Sequence, residues 1–540
     1  MSVSKPLIAM IMKHNRIAHS FIAIVAVCAV SACSKAYLEV APESSESPAT
    51  IFATTEMART AVNGLAKMMT TQYLGTQGMN GEGTIINWYN NYMGNDAQKC
   101  NLTGWTNTIN SNWHESPTSN YDIYPWFYYY KLIGNANAVI EKIDNAEGLQ
   151  SERDFIKAQG LVYRAYCYLQ LVQFYCRRWS DGTVDKDGIP LRLDTSTGDL
   201  AKSSVKKVFS QIYTDLDEAI RLFQASGLTR YTCYSSFKQH NFLPDIDVAY
   251  AVYARAALTR EDWSNAAKYA SLASEGYSYM TKDQYLNSGF NTENDEWIWS
   301  VYEAEDQTLY YYSFFAYIGS NSSAGSCKNT PFAISKQLID QIPETDVRRT
   351  MYLVPTDAEY ADKNLNKTNG EAKSSSALYK RAKKDYAGKL NEASKVFMYM
   401  QYKFQASFMP GGGCFPLFRL AEMSFIEAEA SCHLNKEETA RKILNDINKT
   451  YDTAYECTKT GDDLLNEVKL YRRFHLWGEG HDWFDFKRWG DTMVRTSIAK
   501  GGSWHANFAI TARPEDKNHW TWMIPNRESD YNKLIDQMAD

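Results

Sequence analysis

The side chains in this chain with the types and spacing to do chemistry are paired carboxylates, interleaved arginines and dense aromatic rings, and residues 471–490 hold all three. Tyr471, Phe474, Trp477, Trp483, Phe486 and Trp489 alternate there with Arg472, Arg473, Lys487, Arg488, Glu479, Asp482 and Asp485. Two carboxylates on opposite sides of a bond are what glycoside hydrolysis needs. Glu427 and Glu429 are two apart on a helical pattern and face different directions. Asp482 and Asp485 share a face, but Lys487 and Arg488 beside them predict salt bridges, with Trp483 and Trp489 packed over charges that are costly unless paired. The segment therefore reads as structural and no catalytic step is expected. The nine histidines lack His-Glu-x-x-His spacing, the ten cysteines form no Cys-x-x-Cys pair, and Gly411, Gly412 and Gly413 lack the lysine and helix start of a phosphate cradle. No cofactor and no metal centre is expected; a calcium site in a loop of Asp and Asn is left open, although no EF-hand pattern is present.

Such residues need a scaffold, and the apolar periodicity supplies helices. Residues 248–258 and 263–274 predict a helix–turn–helix pair in which Ala266, Ala267, Ala270 and Ala273 share a face with Trp263. Residues 418–433 and 436–448 predict a second pair, with Phe418, Ala421, Phe425 and Ala428 at helical spacing. Both resemble tetratricopeptide-type units, but they lie too far apart for a tandem array. Further helices are expected over 55–69, 126–144, 152–175 and 205–224. The fold class is mainly α: one compact scaffold with long loops and minor β-hairpins.

Three stretches between the helices differ in character. Residues 72–124 are rich in Gly, Asn and Thr and carry Trp88, Trp105 and Trp113; residues 284–329 carry Trp297, Trp299 and the run 310–312 of tyrosines; residues 351–413 read as a polar, Lys-rich, irregular insertion. Long aromatic loops on a helical scaffold argue for function.

The N-terminus is a leader. Lys5, Lys13 and Arg16 precede an apolar run over 21–30, too short to span a bilayer, that ends in Ser31-Ala32-Cys33. Val30-Ser31-Ala32-Cys33 resembles a bacterial lipobox, so residues 1–32 are expected to be removed, Cys33 to be acylated with chains such as palmitate, and residues 33–50 to form a lipidated N-terminus and polar tether. Net charge is −6, and −9 once Lys5, Lys13 and Arg16 are lost, which disfavours nucleic acid. The eight cysteines left after Cys28 and Cys33 are expected to be mostly free, buried thiols, since a chain this long needs no disulfide staples.

Taken in order, several short motifs resemble the SusD/RagB family of lipid-anchored surface receptors. They are Tyr37-Leu38-Glu39 after Cys33, Trp126 with Asn135-Ala136-Asn137, Arg164-Ala165-Tyr166, Gly188-Ile189-Pro190, Ala254-Arg255-Ala256, Arg419-Leu420-Ala421-Glu422, Glu427-Ala428-Glu429-Ala430, Glu479-Gly480, Arg488-Trp489-Gly490, and Trp522-Met523-Ile524-Pro525 with Asn532. Tyr471 and His475 depart from the pattern, where the family often has glutamates. The resemblance implies a SusD-like domain over 51–540, bound to the cell outer membrane through Cys33 and surface-exposed, that binds an oligosaccharide without cutting it. It also implies a SusC-like TonB-dependent transporter as partner. Glycans are gripped by flat rings and planar polar groups, which makes Trp88, Tyr89, Asp96, Asn101, Trp105 and Trp113 in the first loop, with Tyr311 and Tyr312 in the second, the ligand-binding candidates. The alternative from another class is a tetratricopeptide-type adaptor, or a peptide-binding surface receptor.

Overall fold

The computed structural model describes residues 48–71, 79–102, 106–110, 112–233, 241–303 and 313–536. Residues from Phe52 onward form one unit, and the described end of the unit before it is a single helical turn, Pro48–Ile51. Cys33 and the leader lie outside the described residues.

Ten helices, α1 to α10 in chain order, build the scaffold. Helix α1 (Thr55–Met68) starts where the Thr54 side chain accepts from Met57 N, and buries Ala58, Val62 and Leu65 on one face. Helix α2 (Asn120–Lys142) begins six residues before the pattern predicts, because Pro125 lies inside it. Proline has no N–H, so the Tyr121 carbonyl loses its helical donor. The Tyr89 hydroxyl donates to that carbonyl at 2.7 Å, while the Tyr175 hydroxyl accepts from Trp126 N at 3.0 Å and donates to the Asp122 carbonyl at 2.8 Å. Two tyrosines thus repair the opened turn.

Helix α3 (Gln150–Tyr175) is buried almost throughout from Phe155 to its end and packs between α2 and α4 (Val205–Ser226). Arg164 on α3 holds Asp215 on α4 through two hydrogen bonds of 2.8 and 2.6 Å. The two predicted helix pairs are α5 (Ile246–Thr259) with α6 (Trp263–Ser274), and α7 (Leu420–His433) with α8 (Glu437–Lys449). Although far apart in sequence, they stack: α6 packs on α7, and the Trp263 and His433 rings lie parallel at 3.9 Å. Alanines at 251, 254, 266 and 270 are fully buried, which lets the helices approach closely. Helices α9 (Gly461–His475) and α10 (Asp482–Trp489) complete the scaffold. No helix among the described residues is long and apolar enough to cross a membrane.

The strands are short antiparallel pairs. β1 (Ala97–Lys99) pairs with β3 (Phe332–Ile334), and β2 (Trp297–Val301) pairs with β4 (Phe415–Arg419). Phe418, expected on a helical face, is therefore in a strand; cross-strand partners override the local period. Residues 351–413, expected to be irregular, carry a further pair, Glu371–Ala372 with Val396–Phe397, and a buried run of Phe397, Met398, Met400, Tyr402 and Phe404. All eight described cysteines are free and six of them are buried.

The 471–490 segment forms an ion-pair seam. Arg488 donates to both Glu429 oxygens and, at 2.9 Å, to Asp485; Arg472 donates to Asp485 at 2.7 Å; the Trp489 indole N–H donates to Glu429 at 2.9 Å. Arg419 grips Glu479 at 2.6 and 2.7 Å, and Arg255 grips Glu422 at the same two distances. The helix pairs are thus tied by charge as well as by small-residue packing.

Candidate functional site

The two aromatic loops expected to carry function are joined by the fold. Lys99 is in register with Phe332 across β1 and β3, Cys100 N donates to the Pro331 carbonyl at 3.1 Å, and Asn87 donates to the Phe314 carbonyl at 3.2 Å. The first loop is held from below at Gly81, whose φ of +62° and close approach to the Met69 carbonyl leave no room for a side chain. From Gly81 a short helix, Gly81–Ile86, runs into the π-turn Asn87–Asn91.

That geometry decides where the sequence candidates sit. Trp88 is 1% exposed, edge-on to Tyr317 at 5.4 Å, and Tyr89 is 0% exposed against Trp522 at 5.1 Å. Burial pushes the Tyr89 hydroxyl well above its usual pKa, and its proton serves the Tyr121 carbonyl. Asp96, 2% exposed, accepts two 2.7 Å bonds from Arg473, and its backbone N–H donates to Asp482 at 2.7 Å. These three residues hold the loop to the body and present neither a ring face nor a free carboxylate to solvent. Asn101 is half-buried, and its Oδ1 accepts from Leu102 N at 3.0 Å. Trp113 opens the 3₁₀ turn Trp113–Glu115, while Trp105, Tyr311 and Tyr312 lie outside the described residues.

An aromatic shelf stands where the sequence reading placed no candidate. Tyr302, 38% exposed, leaves the end of β2 and stacks on Phe242 with ring centres 5.8 Å apart and planes 28° from parallel. Tyr231, 40% exposed, donates its hydroxyl proton to Asn241 Oδ1 at 2.6 Å. Asn241 is itself fixed: its amide donates to the Trp297 carbonyl at 2.8 Å, its backbone N–H donates to Glu293 at 2.7 Å, and its carbonyl accepts from Ser300 N at 2.8 Å. The Trp299 indole donates to the Phe242 carbonyl at 3.1 Å. Exposed rings backed by a locked hydrogen-bond frame can grip the apolar face of a ring-shaped ligand at little ordering cost. One signal in the sequence could have found them: Tyr231, Tyr234, Phe237 and Phe242 crowd the link between α4 and α5.

Neighbouring carboxylates do not form an acid–base pair with the shelf. Glu293 accepts from Asn241 N and from the Ser300 hydroxyl at 2.7 Å each. Glu303 is buried, pushed to about 8 by desolvation, and accepts from Phe314 N at 3.4 Å, which ties the two described flanks of residues 304–312 together. Among the described residues no group of three His, Cys, Asp or Glu side chains could hold a metal ion.

Comparison with known proteins adds the lineage. A family model described as "SusD family" matches residues 258–537, and one described as "starch-binding associating with outer membrane" matches residues 36–258. The chain belongs to the SusD family. No curated protein matches it. Among solved structures, a SusD-like carbohydrate binding protein from Bacteroides vulgatus is 24% identical with a TM-score of 0.71, covering 90% of this chain and 98% of that one. A SusD superfamily protein from Bacteroides thetaiotaomicron is 20% identical with a TM-score of 0.70, covering 90% and 100%. Another from Bacteroides fragilis is 20% identical with a TM-score of 0.64, covering 90% and 100%. At these identities the likeness shows the shared SusD fold.

Proposed function

We propose that this SusD-family chain is a glycan-binding surface lipoprotein, tethered through acylated Cys33 to the cell outer membrane, that passes an oligosaccharide to a SusC-like TonB-dependent transporter. The observation that carries the binding reading is the shelf of exposed Tyr302 and Tyr231 with half-buried Phe242 on a hydrogen-bonded frame. A sugar ring laid on Tyr302 and Phe242 meets Asn241 and Glu293 as nearby polar partners; Asn101, Trp105, Trp113, Tyr311 and Tyr312 are kept as ligand-binding candidates from the sequence alone. Support at the family level comes from the model described as starch-binding and from the carbohydrate-binding relative of the same fold. The protein acts as a binder, not an enzyme.

The test is migration in native gels containing assorted polysaccharides. Wild type is expected to be retarded by at least one, and Tyr302→Ala to weaken that binding about tenfold, the equivalent of about 1.4 kcal/mol, without a change in Tm. Retardation that survives in Tyr302→Ala and Phe242→Ala removes the shelf from the site. Binding of peptides with no response to any polysaccharide turns the reading to a peptide receptor. Mass spectrometry of the mature N-terminus tests Cys33, and co-purification from gently solubilised membranes tests the transporter.

A further inference from the structure

We infer that the groove between the turn at residues 341–345 and the first half of α9 is a second binding site, for a small ligand that carries an aliphatic ammonium group. The groove has a volume of about 530 Å³, the size of an ordinary small-molecule site and far above the 30 Å³ of the cavity lined by Arg472 and Arg488.

Three segments build it. Val347 N donates to the Tyr451 carbonyl at 3.2 Å and the Thr345 hydroxyl donates to Asp452 Oδ2 at 2.9 Å, which ties the turn to the loop joining α8 to α9. In that loop Ala454 N donates to Asp452 Oδ1 at 3.0 Å, and the Tyr455 ring meets Tyr471 of α9 edge-on at 4.9 Å. Asp452 and Tyr471, each 2% exposed, are the most deeply buried residues of the lining.

The charge on this lining calls for a cation. Glu467 is answered by Lys459 at 2.6 Å. Asp452 is bound only by neutral donors, and exposed Glu456 forms no ion pair among the described residues. Two carboxylates are thus left without a cation, and one of them is buried, where an unanswered charge is costly. The Arg348 guanidinium, which also acts on Tyr471, is cancelled by Asp346 at 2.6 Å. The Tyr471 hydroxyl lines the same groove and has no hydrogen-bond partner among the described residues. Burial, and then the charge of Glu467, raise its pKa, so it stays a neutral hydroxyl able to accept. An ammonium brings three donors and one positive charge. Water would satisfy the hydroxyl and leave the charge, and no group of three His, Cys, Asp or Glu side chains among the described residues could hold a metal ion there.

The inference does not depend on the glycan shelf, and calorimetric titration of the intact protein in mildly acidic buffer tests it. Two amines distinguish the sources of such a group: cadaverine for a polyamine, and the glucosamine dimer for an amino sugar. Pentane-1,5-diol and the N,N′-diacetyl dimer are their uncharged counterparts. At least one amine is expected to bind and its uncharged counterpart not to, with added salt weakening the complex. Asp452→Asn should lower the affinity about tenfold and Tyr471→Phe about threefold, with polysaccharide retardation unchanged in both. If Asp452→Asn fails to fold, Tyr471→Phe and the charged-against-uncharged comparison decide. The amine that binds more tightly identifies the source. No heat from either amine, equal binding of the uncharged counterparts, or affinities unmoved by the substitutions overturns the site.

Discussion

Along the seam where Arg419, Arg472 and Arg488 meet their carboxylates, burial leaves the groups charged; beneath the aromatic loops, Asp122, Glu303 and Lys99 are as deeply buried and have no opposite charge at hand. Burial alone would raise Glu429, but the charge and hydrogen bonds of Arg488 hold it at about 2. Neither carboxylate oxygen of Asp122 has a hydrogen-bond partner, and desolvation pushes the group to about 9. Lys99 has no hydrogen-bond partner for its ammonium, which lies over the Phe332 ring 4.3 Å from its centre, and desolvation lowers it to about 8. Equal burial gives opposite outcomes because desolvation is offset only where a counter-charge is within hydrogen-bond reach. Where a counter-charge is in reach the ions serve as cross-ties, and where none is, as at Asp122, Glu303 and Lys99, the lone groups are driven toward their neutral forms inside an aromatic core.

The comparison breaks most readily on the seam. Glu429→Leu leaves Arg488 buried with Asp485 alone and should cost about 3–5 kcal/mol in urea unfolding. Adding Arg488→Met should recover most of that loss, because an apolar pair of similar volume replaces the ions well. A Glu429→Leu variant as stable as wild type would mean that the seam carries no cross-tie.

Acid and alkali then sharpen the contrast with smaller effects of opposite sign. Glu429 has its folded pKa depressed from 4.5 to about 2, so its stabilisation is complete above 4.5 and is lost as pH falls toward 2. Glu303 has its folded pKa raised from 4.5 to about 8, so the folded state holds a proton that the unfolded state releases, and stability falls as pH rises through that window. Thermal melts of Glu303→Gln between pH 5 and 9 should therefore show a shallower alkaline decline than wild type. An unchanged slope would place the titrating group elsewhere.

Much of the helical scaffold could be read in advance, and the reason is local. A face such as Ala58, Val62 and Leu65, or Trp263, Ala266 and Ala270, is written in the 3.6-residue period, and the boundaries of α1, α6 and α8 fall within a residue or so of expectation. Pro125 misled, because the hydroxyls that repair its turn come from Tyr89 and Tyr175. Phe418 misled because its partner strand is more than a hundred residues away. The first loop is polar enough to read as exposed, yet Asn87 and Asn91 spend their amides on the carbonyls of Phe314 and Gly478, which no local pattern reveals. The shelf was missed for the same reason: Phe242 and Tyr302 become neighbours only in the fold. In the 471–490 segment the expected salt bridges hold for Asp485 and Arg488, but Lys487 donates to the Gln173 and Cys176 carbonyls and Asp482 accepts from the Asp96 backbone N–H, so neither of these two forms an ion pair among the described residues.

The smallest effect bears hardest on the lone groups. Lys99→Met keeps the stem that packs on Phe332 and removes a charge with no partner, so at pH 6 the variant should be as stable as wild type or more so, by up to about 1 kcal/mol. The sign follows from linkage. Between about 8 and 10.5 the unfolded chain still binds the proton that folded Lys99 has released, so wild-type stability rises with pH through that window and the variant's advantage should shrink. Melts at pH 6 and pH 10 measure both numbers. A variant destabilised at pH 6 as strongly as Glu429→Leu would put Lys99 among the paired ions, and the contrast between the seam and the lone groups would then have to rest on something other than counter-charge.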